Sequence, residues 1–236
     1  MTGKFYGVGV GPGAPDLLTL RAINVLKAAD VVCLPRSSKE NDSVAMQVAG
    51  QYVPAAAELI EIDTPMTRDK AVLENEWRRG AAIIAGHLRQ GKNVAFITIG
   101  DAMLFSTYTY ILKQLRQILP EAEIESVPGV TSFAGAAACL NLALAEGTEK
   151  LAIIPAVDEP SALRPILENF PNAVLMKVAG KYEEIVDILG EMGLKDKAVF
   201  ISKLGYPDEF ITFDLDSLRG KKRDYLSLIL VKRGGL

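Results

Sequence analysis

A chain of 236 residues with 49% apolar and 23% charged residues has enough material for one large or two small globular domains. A formal net charge of −3 gives no electrostatic reason to expect nucleic acid as a partner. Two cysteines, Cys33 and Cys139, both among apolar neighbours, read as free thiols in a reducing cytoplasm, and the single histidine, His87, offers little for a catalytic triad or a His-rich metal site.

The N-terminal "KFYGVGV" reads as a first strand, with no signal peptide expected before it. Leu17, Leu18, Leu20, Ile23 and Leu26 follow at helical spacing. "VVCLP" reads as a buried strand, "SVAMQVAGQYV" as a helix and "AELIEIDTP" as a strand ending at Pro65. "AVLENEWRRGAAIIAGHLRQG" is a long amphipathic helix, "NVAFITIGD" a strand with its loop, and "TYTYILKQLRQILP" a helix ended by Pro120. The second half repeats the scheme. "AEIESVPG" is a short strand and "SFAGAAACLNLALA" a buried helix of small residues, too short to span a bilayer. "KLAIIPA", "NAVLMKV", "KAVFISKLG" and "YLSLILVKRG" are strands, with helices at "SALRPILENF" and "KYEEIVDILGEMG". This alternation predicts two α/β domains with mostly parallel sheets, 1–120 and 121–236. Ligands of such sheets bind beyond the carboxyl ends of the strands.

The first such end, "GVGPGAPDLL", contains Gly9-x-Gly11-x-x-Ala14, which fits the dinucleotide fingerprint. Three features oppose that reading. Pro12 lacks an N–H where an anion needs one. Asp16 puts a carboxylate in the first helical turn. The ribose-binding acid is missing, since the second strand ends "CLPRS" and Asp30 precedes it. The glycines then serve a sharp turn with positive φ, presenting a flat surface to a large planar ligand or simply joining strand to helix. Gly100-Asp101 can offer backbone amides and a carboxylate, or form a capped turn. Thr131 and Ser132, after Pro128-Gly129, can contact a ligand or cap a helix.

Taken together, "VGVGPGAPDLLTLRA", "TIGDAMLFS" and "PGVTS", in this order, resemble the tetrapyrrole (corrin/porphyrin) methyltransferases along the whole chain. "PRSSKENDSVA", "PMTRDKAVLENEW" and "ITIGDAMLFSTYTY" are most similar to the members that methylate C20 of precorrin-2 or of its cobalt counterpart, cobalt-factor II. Ala102 departs from the family, much of which has proline there. The resemblance implies a class III methyltransferase fold, with the active site in a cleft between two α/β domains. It implies S-adenosylmethionine as methyl donor, no protein-bound metal, no membrane or nucleic-acid partner, and a cytoplasmic homodimer in cobalamin biosynthesis. Other substrates of the same fold, such as another corrin carbon or the diphthine precursor, and a non-catalytic donor-binding module stay open.

The resemblance also implies residue roles. The donor is expected at Pro12, Ile99, Gly100, Asp101, the backbone of Leu104, Thr131, Ser132, Met176, Leu204 and Ser227. Gly11, Gly13, Asp16, Arg36, Ser37 and Tyr108 are expected on the tetrapyrrole side. Arg36, Lys39, Arg68 and Arg78 are candidates to meet the substrate's carboxylates, and Asp16, Tyr108 or water to take the proton from C20. For the dimer, the helix around Trp77 carries an apolar edge at Ile83 and His87 beside small Ala82 and Gly86, which a second chain or the 35–43 loop could cover.

Overall fold

The structure, a computed structural model, describes residues 2–36, 43–155 and 160–236. Its contacts divide into two compact units, Met1–Thr131 and Ser132–Leu236.

The first unit alternates strand and helix throughout: β1 (Lys4–Gly9), α1 (Leu20–Lys27), β2 (Val31–Arg36), α2 (Val44–Ala49), β3 (Glu58–Asp63), α3 (Lys70–Arg89), β4 (Val94–Thr98), α4 (Tyr108–Ile118) and β5 (Glu123–Val127). The strands lie in the order β3-β2-β4-β1-β5, and every ladder is parallel. Both faces of such a sheet are covered, so its inner strands are apolar at successive positions. Val94 to Ile97 of β4 are all fully buried. On one face Phe5, Cys33 and Phe96 pack with Ala81, Ile84, Ala85 and Leu88 of α3 and Ile111, Leu112 and Leu115 of α4. Each fully buried large side chain contributes about 1.5–3 kcal/mol. Thr19 caps α1 by accepting from Ala22 N at 3.1 Å, and Asp69 caps α3 by accepting from Ala71 N and Val72 N.

The second unit contains α5 (Ser132–Leu140), β6 (Leu151–Ile154), α6 (Leu163–Asn169), β7 (Asn172–Met176), α7 (Tyr182–Glu191), β8 (Ala198–Ser202), β9 (Phe210–Thr212) and β10 (Ser227–Lys232). Its order is β6-β7-β10-β8-β9. Leu163, Leu167, Tyr182, Ile185 and Leu189 fill one face, while Ala136 of α5 packs on the other against Val174, Val199, Ile201, Leu228 and Leu230.

Two features depart from the sequence reading. β5 does not open the second half. It pairs with β1 from Lys4↔Glu123 to Val8↔Val127, so the division falls after Thr131 rather than at Pro120. The second sheet is mixed: β6 and β7 are parallel, but β10 enters antiparallel between β7 and β8, and β9 adds a short antiparallel edge.

Candidate active site at the strand ends

Strands β4, β1 and β5 are neighbours, so the loops at their carboxyl ends meet. Gly11 N donates to Gly100 O at 3.2 Å and Gly100 N to Gly11 O at 2.7 Å. Both glycines have positive φ, +80° and +72°, the conformation that favours glycine. Gly9 and Gly129 answer a different need. A Cβ on Gly129 would lie 2.1 Å from the Gly100 carbonyl oxygen, and one on Gly9 2.6 Å from that oxygen and 2.7 Å from Gly129 N. The three loops are therefore stacked backbone on backbone. Gly7 lies deeper, where a Cβ would come within 2.1 Å of the Tyr108 ring. The alternating glycines thus serve close packing and one turn. None of the loops 10–18, 99–107 and 128–131 carries Lys or Arg, so nothing there favours a phosphate.

Asp101 ties the same loops together. Its Oδ1 accepts from Met103 N at 2.8 Å and its Oδ2 from Gly129 N at 3.0 Å. The buried Ser106 hydroxyl donates to Thr98 Oγ1 at 3.1 Å and accepts from Tyr108 N at 3.2 Å. Ala102, in the proline position of the family, is fully buried in the core of the first unit. Met103 and Phe105 are left exposed, Phe105 with a left-handed φ of 50°. The direction of a side chain on Gly100 is open, with nothing within 4 Å. Ile99, Leu104, Thr131 and Ser132 are half-buried.

Of the residues expected at the donor or on the tetrapyrrole side, Tyr108 and Arg36 stand elsewhere. Gly11, Pro12 and Gly13 are buried, because the loop folds onto Gly100 and Leu17 instead of lying open; Asp16 is exposed, in the single turn Pro15–Leu17. Tyr108 is a core residue with no exposure. Its ring packs 5.7 Å from Phe5 and 6.3 Å from Phe96, and its hydroxyl lies 2.8 Å from Ser126 Oγ. Burial pushes its pKa up, against the smaller opposite effect of Ser126, so it is corrected from proton acceptor to core. Arg36 is also corrected. Its guanidinium is held by Glu61 and, at 2.8 Å, by Asp63, its register partner on β3. Ser37 and Lys39 lie outside the described residues.

In the second unit, Met176 ends β7 half-buried and packs in the same cluster as the buried Leu204. Ser227 starts β10. Side-chain alternation puts it with Ile229 and Val231 on the opposite face, and its buried hydroxyl has no partner. Two residues that the sequence reading did not single out flank it. Lys177 and Lys203, after β7 and β8, are both left-handed, with φ of 58° and 52°. Lys177 N donates to Ser227 O at 2.9 Å and Lys203 N to Leu226 O at 2.8 Å. Nearby in sequence, the hydroxyl of Tyr206 is buried and unpartnered, and burial pushes its pKa up to about 12. Lysine carries no preference for this conformation, so only the strand-end position could have drawn attention to the pair. Among the described residues, no group of three or more His, Cys, Asp and Glu could hold a metal ion.

Residues 4–218 match the family model of tetrapyrrole (corrin/porphyrin) methylases. A cobalt-precorrin-2 C(20)-methyltransferase of Salmonella typhimurium is 36% identical over 99% of this chain and 98% of its own length. A precorrin-2 C(20)-methyltransferase of a Sinorhizobium species is 28% identical over 97% of this chain and 95% of its own. Among solved structures, a uroporphyrin-III C-methyltransferase of Thermus thermophilus, complexed with S-adenosyl homocysteine, shares the fold. Its TM-score is 0.68 at 24% identity, covering 98% of this chain and 99% of that one. By the match of the family model and the full-length identity, the chain belongs to the tetrapyrrole (corrin/porphyrin) methylases.

Proposed function

We propose that this protein transfers a methyl group from S-adenosylmethionine to C20 of precorrin-2, in its cobalt form, during cobalamin biosynthesis. The observation that carries this reading is the 36% identity, end to end, with a cobalt-precorrin-2 C(20)-methyltransferase, against 28% with an enzyme named for precorrin-2.

The loops of the first unit fit such a donor. They lack basic side chains, which suits a sulfonium cation and not a diphosphate, and the bare direction at Gly100 lets a ligand come close to backbone. The bound donor supplies a methyl group already activated by the positive charge on sulfur. The protein's task is then to align and to exclude water, and it needs no nucleophilic side chain. In our reading Ile99, Gly100 and the Leu104 backbone hold the donor, with Thr131 and Ser132 at its methionine end. Met176, Leu204 and Ser227 are the second unit's share, Met176 toward adenine. Pro12 contributes at the donor and Gly11 and Gly13 toward the macrocycle. With Tyr108 buried, Asp16 or water takes the C20 proton.

The reading includes a cytoplasmic homodimer, with no membrane or nucleic-acid partner. No described helix is long and apolar enough to cross a membrane. Ile83 packs on the first unit's own core and Trp77 stacks on Tyr110 at 4.1 Å, which leaves the exposed Val72 and Tyr110 as the apolar part of that surface. Light scattering at micromolar concentration should give about twice the 25.5 kDa of one chain.

The deciding assay offers labelled S-adenosylmethionine with cobalt-loaded and with metal-free precorrin-2. Transfer of the label to C20, faster with cobalt, is expected. Methylation at another carbon, or donor binding without transfer to either substrate, overturns the reading.

A further inference from the structure

We propose that Lys177 receives a carboxylate of the tetrapyrrole, so that the second unit supplies a substrate-binding cation of the kind that the loops after β1, β4 and β5 lack. The inference rests on the reading of the protein as a C20-methyltransferase of precorrin-2.

The acetate and propionate side chains of precorrin-2 call for cations that are not already engaged. The loops after β1, β4 and β5 carry none, and Arg36 is held by Glu61 and Asp63. In the second unit two lysines stand at strand ends in the same left-handed conformation, Lys177 after β7 and Lys203 after β8. Each donates its N–H toward the start of β10, at Ser227 O and Leu226 O. Those bonds account for both backbones, and glycine would meet the conformation without strain. The side chains differ. Lys203 Nζ is neutralised by Asp208 and Asp224, and the nearby Lys181 is held by Glu184 at 3.0 Å. Lys177 Nζ meets no carboxylate among the described residues. It lies over the exposed ring of Tyr225, 5.8 Å from the centroid.

Lys177 is half-buried, and a cation partly withdrawn from water is costly without a counter-charge. The contact with an exposed ring is weaker than a charge-assisted bond, so an arriving carboxylate can draw the ammonium away from it. The backbone bond to Ser227 fixes the stem, and Met176 immediately precedes it. The ammonium is thus carried at the end of the sheet where Met176 and Ser227 make the second unit's share of the donor site. In that site Met176 lies toward adenine, and the donor's own carboxylate lies toward Thr131 and Ser132. A cation beside Met176 therefore has the substrate's carboxylates to meet, not the donor's.

Removing this charge should be felt by the substrate and not by the donor. Lys177→Met keeps the length of the side chain and the left-handed backbone but loses the charge. Its KM for cobalt-loaded precorrin-2 should rise about tenfold, as the loss of one charge-assisted contact predicts, with kcat nearly unchanged. The rise should shrink as salt is added. Calorimetry with S-adenosylhomocysteine should give the wild-type affinity. Lys177→Arg should recover most of the lost KM. Lys177→Gly, which relieves the backbone, should show the same rise in KM while melting no lower than the wild type, so that a weakened fold cannot explain the loss. Lys203→Met removes a left-handed lysine whose charge is already neutralised, and should leave KM within about twofold of the wild type. An unchanged KM in Lys177→Met overturns the proposal. So does an equal rise in Lys203→Met, which would make any positive charge at this end sufficient. A tenfold loss of S-adenosylhomocysteine affinity in Lys177→Met also overturns it, by assigning the lysine to the donor's carboxylate. If the wild-type protein methylates neither form of precorrin-2, the C20 reading itself fails and the proposal falls with it.

Discussion

The two units end their strands in opposite ways. In the first, the loops after β1, β4 and β5 pack backbone against backbone, with Gly9 and Gly129 admitting approaches that no side chain would allow and Gly11 and Gly100 taking positive φ. In the second, β7 and β8 end in left-handed lysines whose N–H groups donate to Ser227 O and Leu226 O, and charged side chains add the further ties of the loop after β8. Lys203 Nζ pairs with Asp208 at 2.5 Å and Asp224 at 3.3 Å, and Glu209 Oε2 accepts from Gly205 N at 2.7 Å. The first arrangement demands one residue type at each position and leaves a motif in the sequence. The second can be met by many combinations of charges and leaves none.

The sharpest break in this comparison is Gly129→Ala. Its Cβ would sit 2.1 Å from a backbone oxygen that is itself bonded to Gly11, so neither side can yield cheaply. Overpacking of this kind costs typically 1–3 kcal/mol, and here about 3 kcal/mol or more, because the obstacle is backbone. Urea denaturation measures it, and a loss below about 1 kcal/mol would mean that the glycine stack is loose. Gly7→Ala comes next. It meets the Tyr108 ring, a side chain that can tilt, at the expense of its bond to Ser126. We expect a loss of about 1–3 kcal/mol. The pair Gly7→Ala with Tyr108→Leu should cost less than the sum of the two by about 1 kcal/mol, since the smaller side chain vacates the space.

These glycines mark how far the sequence could be read. The alternation of strand and helix, the turn at Gly11 and the objection to a phosphate loop follow from residue types and spacing, because those are local properties. That Gly7 exists for Tyr108 could not be read, since the two are joined only by the fold. The burial of Tyr108 did leave a signal: Tyr108, Ile111, Leu112 and Leu115 form one helical stripe, all buried. The neutralisation of Arg36 depended on knowing that β3 lies beside β2 in a register that sets Arg36 against Asp63. The position of β5 was hidden for a similar reason. A short strand reads alike at the edge of either sheet, and only pairing with β1 assigns it. Asp101 was legible as a polar residue at a strand end, but its grip on Gly129 was not.

The second unit should respond far less to the corresponding change. Lys203→Gly removes a left-handed conformation that costs a side-chain-bearing residue about 1–2 kcal/mol. It also removes two ion pairs that are partly exposed to solvent, each worth up to about 1 kcal/mol. The two effects oppose each other, and the net change should stay within about 1 kcal/mol. Salt separates them. In concentrated salt the ion pairs are screened and the relief of strain is not, so the substitution should become stabilising relative to its value in dilute buffer. Thermal melts of both proteins across a salt series provide the check, and a destabilisation that grows with salt contradicts it.

The smallest expected effect concerns the charges that bind β5 to the rest of the first sheet. Arg21 holds Glu125 through two nitrogens, Nε and Nη2, each at 2.7 Å, and Lys4 approaches it at 3.0 Å. The Arg21 bond first, and then Lys4, lower the Glu125 pKa to about 2. Glu183 is the counterpart in the second unit, lowered mainly by the Gly220 amide and then by Arg223. A carboxylate whose folded pKa is depressed binds fewer protons folded than unfolded at intermediate pH. Its contribution is therefore complete above the unfolded value, about 4.3, and disappears as pH falls toward 2. Both Glu125→Gln and Glu183→Gln should flatten the acid limb of the stability curve in that window and change little near neutrality beyond the loss of a surface contact. Because these groups lie near solvent, each effect should shrink as salt is added. An acid limb identical in the wild type and in Glu125→Gln would show that Arg21 and Lys4 do not hold that carboxylate in solution, and that β5 keeps its place by backbone pairing with β1 alone.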